Sequence, residues 1–163
     1  MVVYCIDTSA LIAAWRERYP IENFPPFWNR IDGLITAGRL TAPVEVLRET
    51  GRRSDELHAW LNARKEMFRE LEAAIQIEAA NVLARFPRLV GERRLRTSAD
   101  SFVIALARVG QMQIVTEEKP QGTLQRPNIP DVCTALGMRP CMGLLELIQA
   151  ERWVMSKDVE CSR

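Results

Sequence analysis

Histidine is almost absent from this sequence, since His58 is the only one among 163 residues. Cysteine is sparse too, with Cys5, Cys133, Cys141 and Cys161. These residues show neither a CxxC spacing nor the density of a disulfide scaffold. A zinc site would need closely spaced Cys and His ligands, so these shortages argue against one. We expect reduced thiols in a cytosolic protein, and a surface or packing role for His58.

Long apolar runs and a large excess of either charge are missing as well. No run approaches the roughly 20 residues that span a bilayer, and no basic leader with an apolar stretch begins the chain. We therefore expect a cytoplasmic protein with no membrane partner. The formal net charge of +1 argues neither for nor against nucleic acid. A hydrophobic content of 47% is ordinary for one globular domain with a sizeable core.

The sequence does contain short apolar runs that alternate with helical patterns. Strands are predicted over 2–6, 39–43 and 112–116, with a last short strand over 138–141. Helices are predicted from Ala10 to Pro20, over 26–38, over 43–50, as an antiparallel pair within 55–86, and over 99–110, 131–137 and 142–153. This alternation predicts an α/β fold with a parallel sheet covered on both faces. We expect one domain over 1–153 and a flexible tail over 154–163.

Acidic residues follow the predicted strands at the points where those strands end. Asp7 ends the first apolar run and Glu117-Glu118 end the run at 112–116, while Glu49 lies on the helix after the second strand. Asp100 stands in the first turn of an apolar helix. The carboxyl ends of parallel strands form one ligand-binding edge, so these acids can converge there. Clustered carboxylates repel unless a cation neutralises them, and magnesium with such oxygen ligands supports phosphodiester hydrolysis.

Each of these acids also has a purely structural interpretation. Asp7 could cap a helix together with Thr8, and Asp100 is typical of a residue that complements a helix dipole. Glu45 stands one helical turn before Glu49, so either or both could face solvent. Asp131 follows Pro130 at a helix start and is more typical of a cap than of a ligand. Five arginines near the acids fit either RNA phosphates or a solvated loop: Arg52, Arg53, Arg93, Arg94 and Arg96.

Four segments in order, "YCIDTSALI", "APVEVLRE", "TSADSFVIALA" and "IVTEE", resemble the acidic motifs of PIN-domain ribonucleases. That family includes the VapC-like toxins of VapBC-type toxin–antitoxin pairs, and the resemblance extends over about residues 2–150. The later segment "IPDVCTALGM" is more similar to a PIN subfamily of largely unassigned bacterial proteins. The resemblance implies a three-layer α/β/α sandwich, an acidic pocket for Mg²⁺ or Mn²⁺, an RNA substrate and a cognate antitoxin protein.

Carried over by position, the family's metal-binding and catalytic acids fall on Asp7, Glu49, Asp100 and Glu118. Ser9 and Thr116 are the auxiliary hydroxyl residues, with Asp131 as a further candidate. The last motif departs from the family pattern, because Glu118 replaces the usual aspartate and its side chain is one methylene longer. Its ligand oxygen therefore reaches the metal differently or through water.

The predicted function is a metal-dependent endoribonuclease, the toxin of a type II toxin–antitoxin pair. The alternative is a catalytically inactive PIN-fold module that binds RNA or protein. An aspartyl-phosphate hydrolase would want a second Asp two residues after the nucleophile, where this chain has Ser9. The helices within 55–86 are expected to be mostly core, with part of their surface available as a homodimer or antitoxin groove.

Overall fold

The computed structural model describes residues 1–89 and 99–156. The predicted basic loop with Arg93, Arg94 and Arg96 lies outside these ranges, as does most of the predicted tail. Strands within the described ranges are β1 (Tyr4–Ile6), β2 (Leu40–Pro43), β3 (Phe68–Arg69) and β4 (Gln113–Val115). The α-helices there are α1 (Thr8–Ala13), α2 (Pro25–Thr36), α3 (Val44–Gly51), α4 (Asp55–Asn62), α5 (Ala73–Arg85), α6 (Asp100–Val109), α7 (Ile129–Ala135) and α8 (Leu144–Ala150).

The four strands form one parallel sheet in the order β3-β2-β1-β4. Tyr4 of β1 pairs with Leu40 on one side and with Gln113 on the other. The chain moves outward in one direction from β1 to β2 to β3, and then crosses back to β4. Because such crossovers are right-handed, the reversal places helices on both faces of the sheet. The predicted α/β fold with a central parallel sheet is therefore confirmed.

The core lies around β1, whose three residues are all buried. A strand buried on both faces needs apolar side chains in both directions, and "YCI" provides them. Helix α6 packs along β1, and the Cys5 thiol points to the backbone carbonyl oxygen of Val103 at a distance of 3.7 Å. The apolar run that predicts a buried helix here accordingly forms one side of the core.

Two details differ from the sequence-based expectation. The region 55–86 does hold two helices, α4 and α5, but a 3₁₀ turn (Lys65–Met67) and the short strand β3 separate them. Two residues are too few to give a period-2 pattern, so β3 carries no sequence signal. The predicted strand over 138–141 was wrong in position, because the pairing there is a single bridge between Val115 and Met142.

Helix α1 continues directly into a π-helical segment, Ala14–Arg18. Such segments are rare and occur often at functional sites. Across the described ranges, no helix combines the length and the apolar character needed to cross a membrane.

Candidate functional site at the carboxyl edge of the sheet

Asp7 lies where β1 ends and α1 begins, and its side chain is 2% exposed. The backbone N–H of Ala10 donates to Oδ1 at 2.8 Å, as expected of a helix N-cap. Thr116, which follows β4, donates its hydroxyl to Oδ2 at 2.7 Å, and the Ser9 hydroxyl lies 2.8 Å from the same oxygen. Asp7 therefore caps α1 and at the same time occupies the carboxyl edge of the sheet.

The surroundings raise the pKa of Asp7 from 3.8 to about 7. Burial is the largest cause, because it penalises the charged carboxylate. Hydrogen bonds from Thr116, Ala10 and Ser9 lower the pKa, while the negative charge of Glu118 raises it. The donors around Asp7 thus fall short of compensating its charge, so a cation nearby would stabilise the ionised form.

Glu49 reaches the same edge from α3. Its Oε2 accepts a hydrogen bond of 3.1 Å from the hydroxyl of Thr8, the neighbour of Asp7. Its Oε1 lies 3.2 Å from Nη2 of Arg53, one helical turn along. Glu45, the other acid on this helix, instead pairs with Arg48. Glu49 is therefore the acid of α3 that is linked to the segment beginning at Asp7.

Glu118 approaches from the loop after β4. Its backbone N–H donates to Thr116 Oγ1 at 3.0 Å, and its Oε2 accepts from the backbone N–H of Ile129 at 2.9 Å. Burial raises the pKa of Glu118; the Ile129 hydrogen bond lowers it, and the charges of Glu49 and Asp131 raise it further. The electrostatic interactions of Glu118 with Asp7 and with Glu49 join acids from three separate segments.

Glu117 is directed away from this group. Its Oε1 accepts the backbone N–H of Leu144 at 2.8 Å, at the start of α8. Its Oε2 lies 3.6 Å from Nη2 of Arg18, in the π-helical segment. Its own backbone N–H donates to Ser9 Oγ at 3.2 Å.

Asp131 acts as a cap for a loop and for α7. Its carboxylate accepts backbone N–H groups from Gln121, Gly122 and Asn128, at distances of 2.8–3.0 Å. Burial acts to raise the pKa of Asp131, but these donors outweigh it, and the pKa lies below the ordinary value. Both oxygens are engaged by the backbone, which agrees with the capping interpretation.

Asp100 is half-buried and begins α6. The contact between Cys5 and Val103 fixes how α6 lies on β1, with Asp100 one turn before Val103 and Asp7 two residues after Cys5. Because α6 turns directly into β4 after Val109, its last residues lie near the start of β4 and its first residue, Asp100, lies toward the carboxyl edge. Arg52 and Arg53 are exposed at the end of α3.

The carboxylates share one edge, yet their oxygens do not converge as a ready ligand set. Among residues 1–89 and 99–156, no group of three or more His, Cys, Asp or Glu side chains is arranged to hold a metal ion. Glu49 is engaged by Thr8 and Arg53, and Glu118 by Ile129. Their oxygens are of the kind that magnesium and manganese prefer. A metal would therefore require Glu49 and Glu118 to turn toward Asp7.

Two further residues belong to this edge but have no role in the sequence-based set. Thr8 contacts Glu49, and Arg18 contacts Glu117. In the sequence, the position of Thr8 beside Asp7 suggests only a capping role and gives no sign of its contact with Glu49 on α3. Arg18 carries no local signal, because its partner is about a hundred residues away in the chain.

A comparison with known protein families finds a family model that matches almost the whole chain. A family model described as "Domain of unknown function (DUF4411)" matches residues 4–155, from β1 to beyond α8. The chain belongs to the DUF4411 family. The DUF4411 match includes every acid discussed above. A search of curated proteins finds no match.

Among solved structures, the DUF4411 chain is similar to a chain in the crystal structure of VapBC2 from Rickettsia felis bound to a DNA fragment from their promoter. The identity is 13%, the TM-score is 0.47, and the match covers 72% of this chain and 88% of that one.

Proposed function

We propose that this protein is a metal-dependent endoribonuclease that hydrolyses RNA phosphodiester bonds at the carboxyl edge of its sheet. The observation that carries the proposal is the group formed by Asp7, Glu49 and Glu118. These acids come from three segments distant in sequence, they interact electrostatically, and the pKa of buried Asp7 is raised to about 7. Acids with raised pKa values that gather from separate segments are typical of functional sites, which favours a role in binding or catalysis.

The metal ligands in this proposal are Asp7, Glu49, Asp100 and Glu118, and the ion is Mg²⁺ or Mn²⁺. The ion would polarise a phosphoryl oxygen and lower the pKa of water. Thr116, Ser9 and the Ala10 N–H hold the Asp7 carboxylate in a single orientation. Glu49 would give up its contact with Arg53 to hold the ion, and Glu118 would reach the ion directly or through water. Asp131 holds the loop that carries Gln121 and Gly122 against α7.

The resemblance of the four acidic motifs to VapC-like toxins supports a finer proposal, that this protein is the toxin of a type II pair with a cognate antitoxin. Expression in a bacterial host should then arrest growth, and co-expression of the protein encoded by the neighbouring reading frame should relieve the arrest. Arrest by the Asp7→Asn variant as strong as by the wild type would contradict a toxin that acts by cleavage.

A second candidate has its own observation. The Arg53–Glu49 ion pair and the absence of a converged ligand set among the described residues favour a PIN-like module that binds RNA without cutting it. On this alternative the ion pair is permanent, and Arg53 contributes to the binding surface.

Cleavage of a fluorescent single-stranded RNA in manganese, in magnesium and in chelator separates the two candidates. Glu49→Gln is the informative variant and Glu45→Gln its matched control, because Glu45 lies one turn away and pairs with Arg48. The nuclease proposal expects metal-dependent cutting that Glu49→Gln removes and Glu45→Gln leaves intact. RNA binding without cutting in any metal would establish the binding module.

A further inference from the structure

The acids at the carboxyl edge are accompanied by two ion pairs that lie on opposite sides of β1. Arg53 pairs with Glu49 on the β2 side, and Arg18 pairs with Glu117 on the β4 side. The acid of each pair is tied to a neighbour of Asp7. Glu49 accepts from the Thr8 hydroxyl, and the Glu117 N–H donates to Ser9 Oγ. The two pairs therefore flank Asp7.

The π-helical segment supplies arginines to both sides. Arg18 makes the ion pair with Glu117, while Arg16 donates to the backbone carbonyl oxygen of Arg53. Arg16 thereby joins the segment to the connection between α3 and α4, in which Arg53 lies. One helical turn thus spans from the β2 side to the β4 side of the edge.

The arginines are the accessible members of these pairs, and the acids are the covered ones. The side chains of Arg18 and Arg53 are 59% and 45% exposed, against 15% for Glu117 and 19% for Glu49. Exposed ion pairs contribute little to stability, so either arginine can exchange its partner at low cost. A phosphate is the natural replacement, because its oxygens accept the guanidinium in the same bidentate geometry as a carboxylate.

We propose that Arg18 and Arg53 bind successive parts of a single-stranded RNA backbone, with Arg16 as the residue that positions Arg53. The strand crosses Asp7 from the β2 side to the β4 side. Asp7 is recessed, and a flexible single strand reaches a recessed edge more readily than a rigid duplex does. When Arg53 turns to a phosphate it releases Glu49, so RNA binding and metal binding assist each other. This last step rests on the proposed nuclease function; the phosphate contacts do not.

The test measures binding of a short single-stranded RNA with a terminal fluorophore, in chelator and in the Asp7→Asn background, so that no cutting occurs. Arg18→Ala and Arg53→Ala should each weaken binding about tenfold. Each should also reduce the slope of log affinity against log salt by about 0.7. The matched control is Arg139→Ala, an exposed arginine next to Pro140, whose carbonyl contacts Gln113 at the opposite end of β4. This control should bind as the background does.

Glu117→Gln is the more discriminating variant, because it should raise RNA affinity, whereas the two arginine variants should lower it. The amide still accepts the N–H of Leu144, but it releases Arg18 and removes a negative charge. RNA affinity should rise several-fold, whereas a purely structural ion pair predicts no change. Unchanged affinity in Arg18→Ala, or capture of poly-glutamate in preference to RNA, would overturn the inference, the latter in favour of an acidic protein partner.

The outcome is separable from that of the nuclease proposal. Metal-dependent cutting that is insensitive to Arg18→Ala and Arg53→Ala would leave the nuclease standing and remove this inference. Loss of RNA binding in both variants of a protein that never cuts would support the phosphate contacts and reject the nuclease.

Discussion

Acidic side chains are neutralised to different extents at the amino edge and at the carboxyl edge of the sheet. At the amino edge, Glu151 accepts two hydrogen bonds from Arg39, at 2.8 and 2.6 Å, and one from the hydroxyl of Tyr4 at 2.5 Å. The hydrogen bonds from Arg39 hold the pKa of Glu151 below its ordinary value, although burial opposes this. At the carboxyl edge, burial raises the pKa of Asp7 to about 7. One edge has its counter-charge built in, and the other has acids in excess.

This contrast distinguishes a structural ion pair from the proposed binding site. The amino-edge group joins the end of α8 to the first residue of β1, with Arg39 also donating to the Val2 carbonyl oxygen at 3.1 Å. The carboxylate of Glu151 is paired within the chain, and the group stabilises the fold. At the carboxyl edge the charge of Glu118 adds to the rise in the pKa of Asp7, and in the proposed function a cation would offset this negative charge. A variant at each edge should therefore change stability with opposite signs.

The largest effect is expected on activity at the carboxyl edge. Asp7→Asn should lower metal-dependent RNA cleavage by more than about 100-fold, because even a residue behind a metal ligand costs 10- to 100-fold when removed. Initial rates in manganese measure this, with Glu45→Gln as the variant that should keep its rate. Full activity in Asp7→Asn would remove Asp7 from the site.

The next effect concerns stability at the amino edge. Arg39→Ala leaves Glu151 covered and without its cation, and should lower the free energy of unfolding by about 2–3 kcal/mol at pH 7. Urea unfolding measures the loss. Because the folded pKa of Glu151 is depressed, its contribution is present above the unfolded value of about 4.3 and disappears as the pH falls through the folded pKa. The difference between variant and wild type should therefore shrink in acid.

Asp7→Asn should show the reverse sign in chelator. The folded pKa of Asp7 is raised to about 7. The wild type therefore has its full stability below the unfolded pKa of about 3.9 and loses part of it as the pH rises to 7. The variant should match the wild type near pH 4 and exceed it by about 1–2 kcal/mol at pH 8. This margin is reduced because asparagine has only one acceptor for the donors of Ser9, Ala10 and Thr116. Lower stability than wild type at pH 8 would show that capping dominates.

The smallest effect is expected at the fourth acid. Glu118→Gln should lower cleavage about tenfold, less than Asp7→Asn, since a ligand acting through water is worth less than a direct one. Magnesium demands near-ideal octahedral geometry, so a longer ligand arm should favour manganese. Glu118→Asp should narrow the difference in rate between the two metals. Complete loss in Glu118→Gln would instead make Glu118 a direct ligand.

Much of the fold was accessible from the pattern of residues. The apolar runs at 2–6, 39–43 and 112–116 correspond to β1, β2 and β4, because a strand buried on both faces needs a continuous apolar segment. The runs at 2–6 and 112–116 end at acids, and Glu49 lies on the helix after the run at 39–43, which is why a shared acidic edge could be predicted. β3 could not be predicted, since its pairing with Ala42 and Pro43 of β2 is a long-range event over two residues.

The sequence by itself determined that acids would gather at the carboxyl edge of a parallel sheet. The resemblance to PIN-domain motifs selects Glu49 and Glu118 by position, but only the tertiary structure shows which contacts each acid makes. Glu45 and Glu49 stand one turn apart on the same helix, and Glu117 and Glu118 are neighbours, so local patterns treat the members of each pair alike. Contacts from distant segments separate them: Thr8 engages Glu49, and Arg18 with the start of α8 draws Glu117 away. Local propensity is set by neighbours along the chain, whereas the charge balance of a site depends on groups that only folding brings together.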